Sequence, residues 1–194
     1  MEKNPVKRPA VFLDRDGTIN QQMGYINHIS RFILLPGVSS AIKRLNHHGY
    51  LTIVVSNQSG VARGYFPIGL VHEVHDHMKS LLGENGATVD GIFFCPHHPA
   101  GKVDKYSKLC DCRKPGTGLI KKSMADFDID MEKSYVVGDR YTDIEMARRC
   151  GLKAILVKTG YGMGDLEYVI PQCHFKPDHI ASNLQEAVDW ILEN

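Results

Sequence analysis

Apolar residues gather in five short runs rich in β-formers: Ala10–Leu13, Leu51–Val55, Gly91–Phe94, Ser134–Val137 and Ala154–Val157. Each run is apolar on both faces, as a buried strand of a parallel sheet requires. Between the runs, apolar residues recur at three- and four-residue steps, as in Val38, Ile42 and Leu45, or Leu70, Val74, Met78 and Leu81. That period predicts helices over Val38–His48, Ile68–Leu82, Gly118–Phe127, Thr142–Cys150 and Leu184–Leu192. Strand–helix alternation at this spacing predicts an α/β fold, a doubly wound, mostly parallel sheet with helices on both faces. No repeat, low-complexity tract or linker interrupts it, so residues 1–194 are expected to form one domain. The longest irregular stretches are Thr18–Pro36 and Cys95–Thr117, and loops of that length in a compact domain are usually functional.

Composition narrows the classes of partner. Hydrophobic residues make up 43% and charged residues 23%, with a net charge of +1. That balance argues against disorder and against a broad electrostatic grip on nucleic acid or an acidic membrane. No apolar run approaches a membrane span, and Met1–Pro9 carries charge with no signal-like apolar region behind it. Five cysteines, an odd number, fit a reducing compartment better than a disulfide framework. The expectation is a cytoplasmic protein, monomeric, acting on a small molecule.

The candidate chemistry lies at strand ends, where open α/β sheets bind ligands. Asp14-Arg15-Asp16-Gly17-Thr18 follows the first run directly. Two aspartates two residues apart on near-extended chain point the same way. Their mutual repulsion would be relieved by Mg²⁺, a cation that prefers hard oxygen ligands. One carboxylate could then attack phosphorus while the other handles protons; the bland alternative is a strand-terminal turn rich in Asp and Gly. The second run ends in Ser56-Asn57-Gln58-Ser59-Gly60, whose hydroxyl and backbone N–H groups could hold phosphate oxygens, or simply cap a helix. Arg113-Lys114-Pro115 supplies two adjacent cations, and Gly138-Asp139-Arg140-Tyr141-Thr142-Asp143 places another carboxylate at a strand end. Asp143 suits either support of the site or the first turn of a helix.

Taken in order, Asp14-Arg15-Asp16-Gly17-Thr18, Ser56, Lys114 and Gly138-Asp139-Arg140-Tyr141-Thr142-Asp143 resemble the four-motif signature of the haloacid dehalogenase-like phosphatases. The resemblance spans about Ala10 to Val157. It implies that Asp14 is the nucleophile and forms an aspartyl-phosphate. Asp16 then protonates the leaving oxygen and later activates water. By the same resemblance, Asp14, Asp139 and the backbone carbonyl of Asp16 hold Mg²⁺, and Ser56 and Lys114 bind the transferring phosphoryl group.

Cys95-Pro96-His97-His98-Pro99 and Cys110-Asp111-Cys112 bracket a loop of 12 residues between His97 and Cys110. Cys95, His97, Cys110 and Cys112 make a Cys₃His set suited to a structural, tetrahedral Zn²⁺. His98 is the rival imidazole, and free thiols or a disulfide are the plain alternatives. A loop with Pro, Gly, Lys102, Lys105 and Lys108 has little apolar content to order it, and a metal would supply that order. The zinc loop is therefore assigned to residues 95–112. Cys150 and Cys173 are expected to be small buried residues.

Within the superfamily, the combined motifs are most similar to the heptose bisphosphate phosphatases. They include Gly24-Tyr25 and Ser56-Asn57-Gln58-Ser59-Gly60-Val61-Ala62-Arg63-Gly64. That similarity implies removal of the 7-phosphate of a heptose 1,7-bisphosphate, on the route to ADP- or GDP-heptose for lipopolysaccharide or related glycans. It also implies no large cap domain, with the zinc loop serving as a substrate wall. Ser56, Asn57, Gln58, Ser59, Arg113, Lys114 and Arg140 are the expected substrate contacts, with Arg63 a further rim cation. A histidinol-phosphate phosphatase is the nearest alternative, and a non-catalytic phosphosugar-binding protein the alternative of another class. His72, His75 and His77 crowd one helix, but His72-Glu73-Val74-His75 lacks the spacing of a zinc-protease motif, and the three read as a solvated helical face. Gly160, Gly162 and Gly164 read as a flexible loop.

Overall fold

The computed structural model describes residues 7–194; residues 1–6 of the Met1–Pro9 segment lie outside them. Six parallel strands form one sheet: β1 (Arg8–Leu13), β2 (Leu51–Asn57), β3 (Gly91–Cys95), β4 (Ile129–Gly138), β5 (Lys153–Val157) and β6 (His179–Ala181), in the order β3-β2-β1-β4-β5-β6. The helices are α1 (Val38–His47), α2 (Ile68–Gly83), α3 (Gly118–Asp126), α4 (Tyr141–Arg149), a single turn α5 (Gly162–Gly164), and α6 (Leu184–Glu193). The doubly wound α/β architecture follows the hydrophobic pattern. Along β1, Val11 and Leu13 enter the core beneath α1, α2 and α6, whereas Ala10 and Phe12 enter the one beneath α3 and α4. Alternate side chains of one strand thus feed both layers.

Three differences from the sequence reading have local causes. β4 starts at Ile129 rather than Ser134, because its first residues pair with Arg8 and Pro9 before the register shifts. At that irregularity Ser134 Oγ accepts from Ala10 N–H (2.8 Å) and donates to the Asp130 carbonyl (2.6 Å), serving backbone groups beside the shift. β6 is only three residues long, His179-Ile180-Ala181, too short to register as a run. The glycine-containing segment after β5 is helical rather than loop: α5 continues as a π turn over Asp165–Val169 and a 3-10 turn over Ile170–Gln172. Cys150 and Cys173 are half-buried rather than buried.

β1 and β4 are neighbours although β2 and β3 intervene in sequence, so the chain reverses its direction of winding between them. A crevice opens outside the carboxyl ends of strands at such a point. Between Asp16 and Ser56 lie only one loop, the 3-10 turn Ile29–Arg31 and α1, and no large cap is present. The loop is pinned by Ile19, Ile26 and Phe32, all buried in the core beneath α1 and α2. No helix among the described residues is long and apolar enough to cross a membrane.

Phe12, fully buried at the centre of the sheet, tests this packing. Phe12→Ala should lower unfolding free energy by about 3–5 kcal/mol, the usual cost of emptying an aromatic core position. Urea denaturation followed by circular dichroism measures it, and a loss below about 1 kcal/mol would contradict the assigned core.

Candidate active site

Three carboxylates meet at the ends of β1 and β4. Asp14 follows β1, Asp139 follows β4, and Asp143 stands in the first turn of α4; each offers an oxygen within 4.8 Å of the others, and all are buried. Lys114, 5% exposed, enters from the loop before α3. Its Nζ lies 2.6 Å from Asp14 Oδ1 and 2.6 Å from Asp143 Oδ1, and donates to the Val55 carbonyl at 3.0 Å. Burial alone would lower the Lys114 pKa, but the two carboxylates outweigh it and raise the value above the ordinary lysine range.

The acids carry the cost of crowding. Burial, only partly offset by Lys114 and reinforced by Asp143 and Asp16, pushes the Asp14 pKa up to about 6. Burial, then Asp14 and Asp143, push Asp139 up to about 8. Asp139 Oδ2 accepts from the Tyr161 N–H at 2.8 Å, while Oδ1 is buried with no partner. An orphaned carboxylate oxygen beside two more carboxylates is a donor set that suits a hard divalent cation such as Mg²⁺. Glycines make room for it. Gly17 has φ +95° and Gly160 φ +57°, and a Cβ on either would stand 2.1 Å from Asp139 Oδ2. The presumed loop glycine is therefore part of the site.

Asp16 lies beside this cluster with different partners. Arg15 Nη2 donates to both of its oxygens, at 2.9 and 2.8 Å, and Asn20 Nδ2 and Gln58 Nε2 add bonds of 3.1 and 2.9 Å. Burial opposes ionisation, but Arg15 and these donors hold the Asp16 pKa below the usual carboxylate value. Gln58 Nε2 also donates to Ser56 Oγ at 2.8 Å, which leaves the Ser56 hydroxyl proton free to point at a ligand. Asn57 lines the cleft, and its amide and the Lys114 backbone exchange two hydrogen bonds, 3.2 and 3.0 Å, that fix the lysine's loop. Asn57 therefore positions Lys114, a role its motif did not suggest. Ser59 lines the cleft.

The cleft has a volume of about 370 Å³ and is bordered by Arg63, Arg113 and Arg140. The Arg140 guanidinium packs over the Tyr161 ring at 4.7 Å, and Tyr25 meets Tyr65 edge-on at 4.8 Å. Arg63 Nη2 and His98 Nε2 are 3.0 Å apart. Tyr161 and Asn20 escaped the sequence reading; the strand-end rule applied to β5 would have pointed to the first.

Cys95, His97, Cys110 and Cys112 converge within 4.8 Å of one another. Cys112 Sγ lies 3.0 Å from Cys95 Sγ and 3.5 Å from His97 Nδ1. All five cysteines are free thiols. Burial pushes the Cys95 and Cys112 thiols up, whereas at Cys110 burial is outweighed by hydrogen bonds with Cys112 and Cys95, which hold it down. The donor set could hold zinc. His97, not His98, belongs to the cluster. His75 is also unlike a solvated residue, being 4% exposed with Nε2 3.2 Å from Arg15 Nη1.

A family model described as HAD-hydrolase-like matches residues 111–187. The fold and the acidic site together define a haloacid dehalogenase-like hydrolase. A D-glycero-D-manno-heptose-1,7-bisphosphate 7-phosphatase of Thermosynechococcus vestitus is 44% identical over 188 residues, covering 95% of each chain. The β-anomer enzyme of Escherichia coli K12 is 38% identical, covering 96% of this chain and 89% of its own. The crystal structure of D,D-heptose 1,7-bisphosphate phosphatase from B. bronchiseptica, complexed with magnesium and phosphate, superposes with a TM-score of 0.84 at 32% identity, covering 95% of this chain and 98% of its own. The chain belongs to the heptose-1,7-bisphosphate 7-phosphatase family and is a phosphoric monoester hydrolase.

The raised acids give a signed prediction. Asp14 and Asp139 bind protons more tightly folded than unfolded, so their contribution is present near pH 4 and is lost as pH rises through about 6 and about 8. Metal-free Asp139→Asn should therefore melt above the metal-free wild type at pH 8, by at least about 2 °C, with the gap closing towards pH 5. Mg²⁺ should raise the wild-type melting temperature at pH 8 more than that of the variant. Differential scanning calorimetry with and without chelator decides it; a pH-independent gap would count against the crowded-carboxylate account.

Proposed function

We propose that the chain is a Mg²⁺-dependent phosphatase that removes the 7-phosphate of D-glycero-D-manno-heptose 1,7-bisphosphate through an aspartyl-phosphate on Asp14. The observation that carries this reading is the buried cluster of Asp14, Asp139 and Asp143 around Lys114. Asp14, Asp139 and the main-chain carbonyl of Asp16 would hold Mg²⁺, with Asp143 adjacent. Bound there, the ion would screen the charge between carboxylate and phosphate and polarise a phosphoryl oxygen.

An Asp14 oxygen attacks phosphorus, and the bond from phosphorus to the sugar O7 breaks. Ser56 and Lys114 receive the charge spread over the phosphoryl oxygens. Asp16 gives a proton to the leaving sugar oxygen, which departs as the alcohol. Arg15 keeps Asp16 ionised in the free enzyme, and an incoming phosphate dianion raises its proton affinity. In the second half, the Asp16 carboxylate takes a proton from water as that oxygen attacks phosphorus. The bond from phosphorus to Asp14 breaks, inorganic phosphate leaves, and Asp14 returns as a carboxylate while Asp16 gives the proton it took from water back to solvent.

The second phosphate of the substrate needs its own cations, and Arg113, Arg140 and Arg63 stand at the rim. Cys95, His97, Cys110 and Cys112 would hold Zn²⁺, which would order the loop that carries one wall. Free thiols support a reducing, cytoplasmic setting, with the product feeding the ADP- or GDP-heptose route.

Asp14→Asn should reduce turnover at least about a thousandfold with the fold retained, because the amide is a poor nucleophile. Phosphate release together with circular dichroism measures it, and turnover within tenfold of wild type would remove the covalent step. Protein prepared without chelator should carry one zinc per chain by metal analysis. Cys110→Ser should lower both metal content and melting temperature, and metal-free wild-type protein would sink the zinc assignment. A heptose bisphosphate should be processed at least about a hundredfold more efficiently than its monophosphate, from two charge-assisted contacts of about 1.5–3 kcal/mol each. Arg113→Ala should erode that ratio chiefly through the bisphosphate. Equal kcat/KM for bisphosphate, monophosphate and histidinol phosphate would overturn the sugar-bisphosphate assignment and spare the phosphatase.

A further inference from the structure

The three histidines of α2 do not share one environment. His72 is exposed and His77 is half-buried against the edge of Phe32 at 5.9 Å, whereas His75 is 4% exposed; the His72 and His75 rings both meet Phe94 on β3 edge-on, at 5.4 and 5.3 Å. The His75 Nε2 lies 3.2 Å from Arg15 Nη1. A guanidinium has no acceptor, so the arginine donates and the histidine carries its proton on the other nitrogen. Burial, then the Arg15 charge, push the His75 pKa down to about 3, which agrees with a neutral ring in that role.

Arg15 is itself 2% exposed, and its nitrogens have separate tasks. Nη2 donates to both Asp16 oxygens and to Gln58 Oε1 (3.2 Å), and Nε reaches Asp16 Oδ1 at 3.3 Å. Nη1 has His75. A buried N–H left unpaired costs free energy of the order of 1–3 kcal/mol, so withdrawal of the imidazole would favour rotation of the guanidinium. Rotation would release Asp16, which is tied otherwise only to the amides of Asn20 and Gln58. His75 is absent from the lining of the catalytic cleft.

We infer that His75 is a positioning residue: through Arg15 it fixes the direction of the Asp16 carboxyl, so that α2 sets the geometry of proton transfer to the leaving oxygen. This rests on the reading of Asp16 as the general acid. In the half-reaction that forms the aspartyl-phosphate, misdirection of that acid harms the departure of a poor leaving group and spares a good one, which needs little protonation; the hydrolysis half, where Asp16 acts as base, is the same for every substrate and does not enter kcat/KM. General disorder of the site would harm both alike.

The experiment compares kcat/KM, which reports formation of the aspartyl-phosphate, for wild type, His75→Leu, His75→Gln and Asp16→Asn on two substrates. One is a heptose bisphosphate, whose leaving group is an alcohol; the other is 2,4-dinitrophenyl phosphate, whose leaving group is a stable phenolate. His75→Leu should lower kcat/KM on the sugar about tenfold or more and lower kcat/KM on the aryl ester less than about threefold. His75→Gln, which offers an acceptor at nearly the same place, should recover most of the loss. Should His75→Leu not fold, His75→Asn, too short to reach Arg15, takes its place. Equal losses on both substrates, or a glutamine variant no better than leucine, overturn the proposal. Asp16→Asn separates the two readings. A large sugar-selective loss there with none in His75→Leu overturns the role of His75 alone, whereas equal losses in Asp16→Asn overturn the general acid and the proposal with it.

Discussion

The ammonium of Lys114, held at 2.6 Å from both Asp14 and Asp143, is the contact on which the site depends. Three carboxylates within 4.8 Å of one another could not stay buried together unaided. One cation inside the cluster offsets part of the repulsion and leaves Asp139 Oδ1 without a partner. If all three acids ionise, the cluster carries about two negative charges beyond the lysine, which is the charge of one Mg²⁺. The position of Lys114 is secured from its backbone by Asn57. The last residue of β2 thus holds, through the lysine, the carboxylates after β1 and at the start of α4.

The two halves of the chemistry are kept electrostatically distinct by small differences in surroundings. Asp14 and Asp16 are two residues apart, yet burial and neighbouring acids raise the first while Arg15 and amide donors lower the second. These directions are those of the site without its ligands; for the proposed roles, a bound cation must lower Asp14 and a bound phosphate must raise Asp16. The alternation of Asp, Arg and Asp sends Asp14 towards Lys114 and seats Asp16 on the Arg15 guanidinium.

Much of this was legible in the sequence because strand ends obey a topological rule. Asp14, Ser56 and Asp139 lie on or just beyond strand carboxyl ends, and five of the six strands declared themselves as apolar runs. Asp143 carried two readings, and the structure contains both: it accepts from the Arg140 N–H at 3.2 Å and pairs with Lys114. His75 was obscured because two neighbouring histidines gave its helix a polar look, and burial depends on β3 packing against it. Gly160 and Tyr161 were obscured for a related reason. Their importance comes from Asp139, which is close to them only after β5 has paired beside β4.

The seating of Asp139 between Gly17 and Gly160 has a consequence for synthesis of the protein. One glycine belongs to the loop after the first strand, the other to the loop after the fifth, and Thr159 Oγ1 ties them by donating to the Gly17 carbonyl at 2.6 Å. A nascent chain that has emerged only as far as the residue after β4 already carries Asp14, Asp16, Lys114 and Asp139. It lacks the second wall of the carboxylate's seat and the N–H of Tyr161. The aspartates are therefore synthesised well before the groups that seat Asp139, and the site is complete only with the last third of the chain.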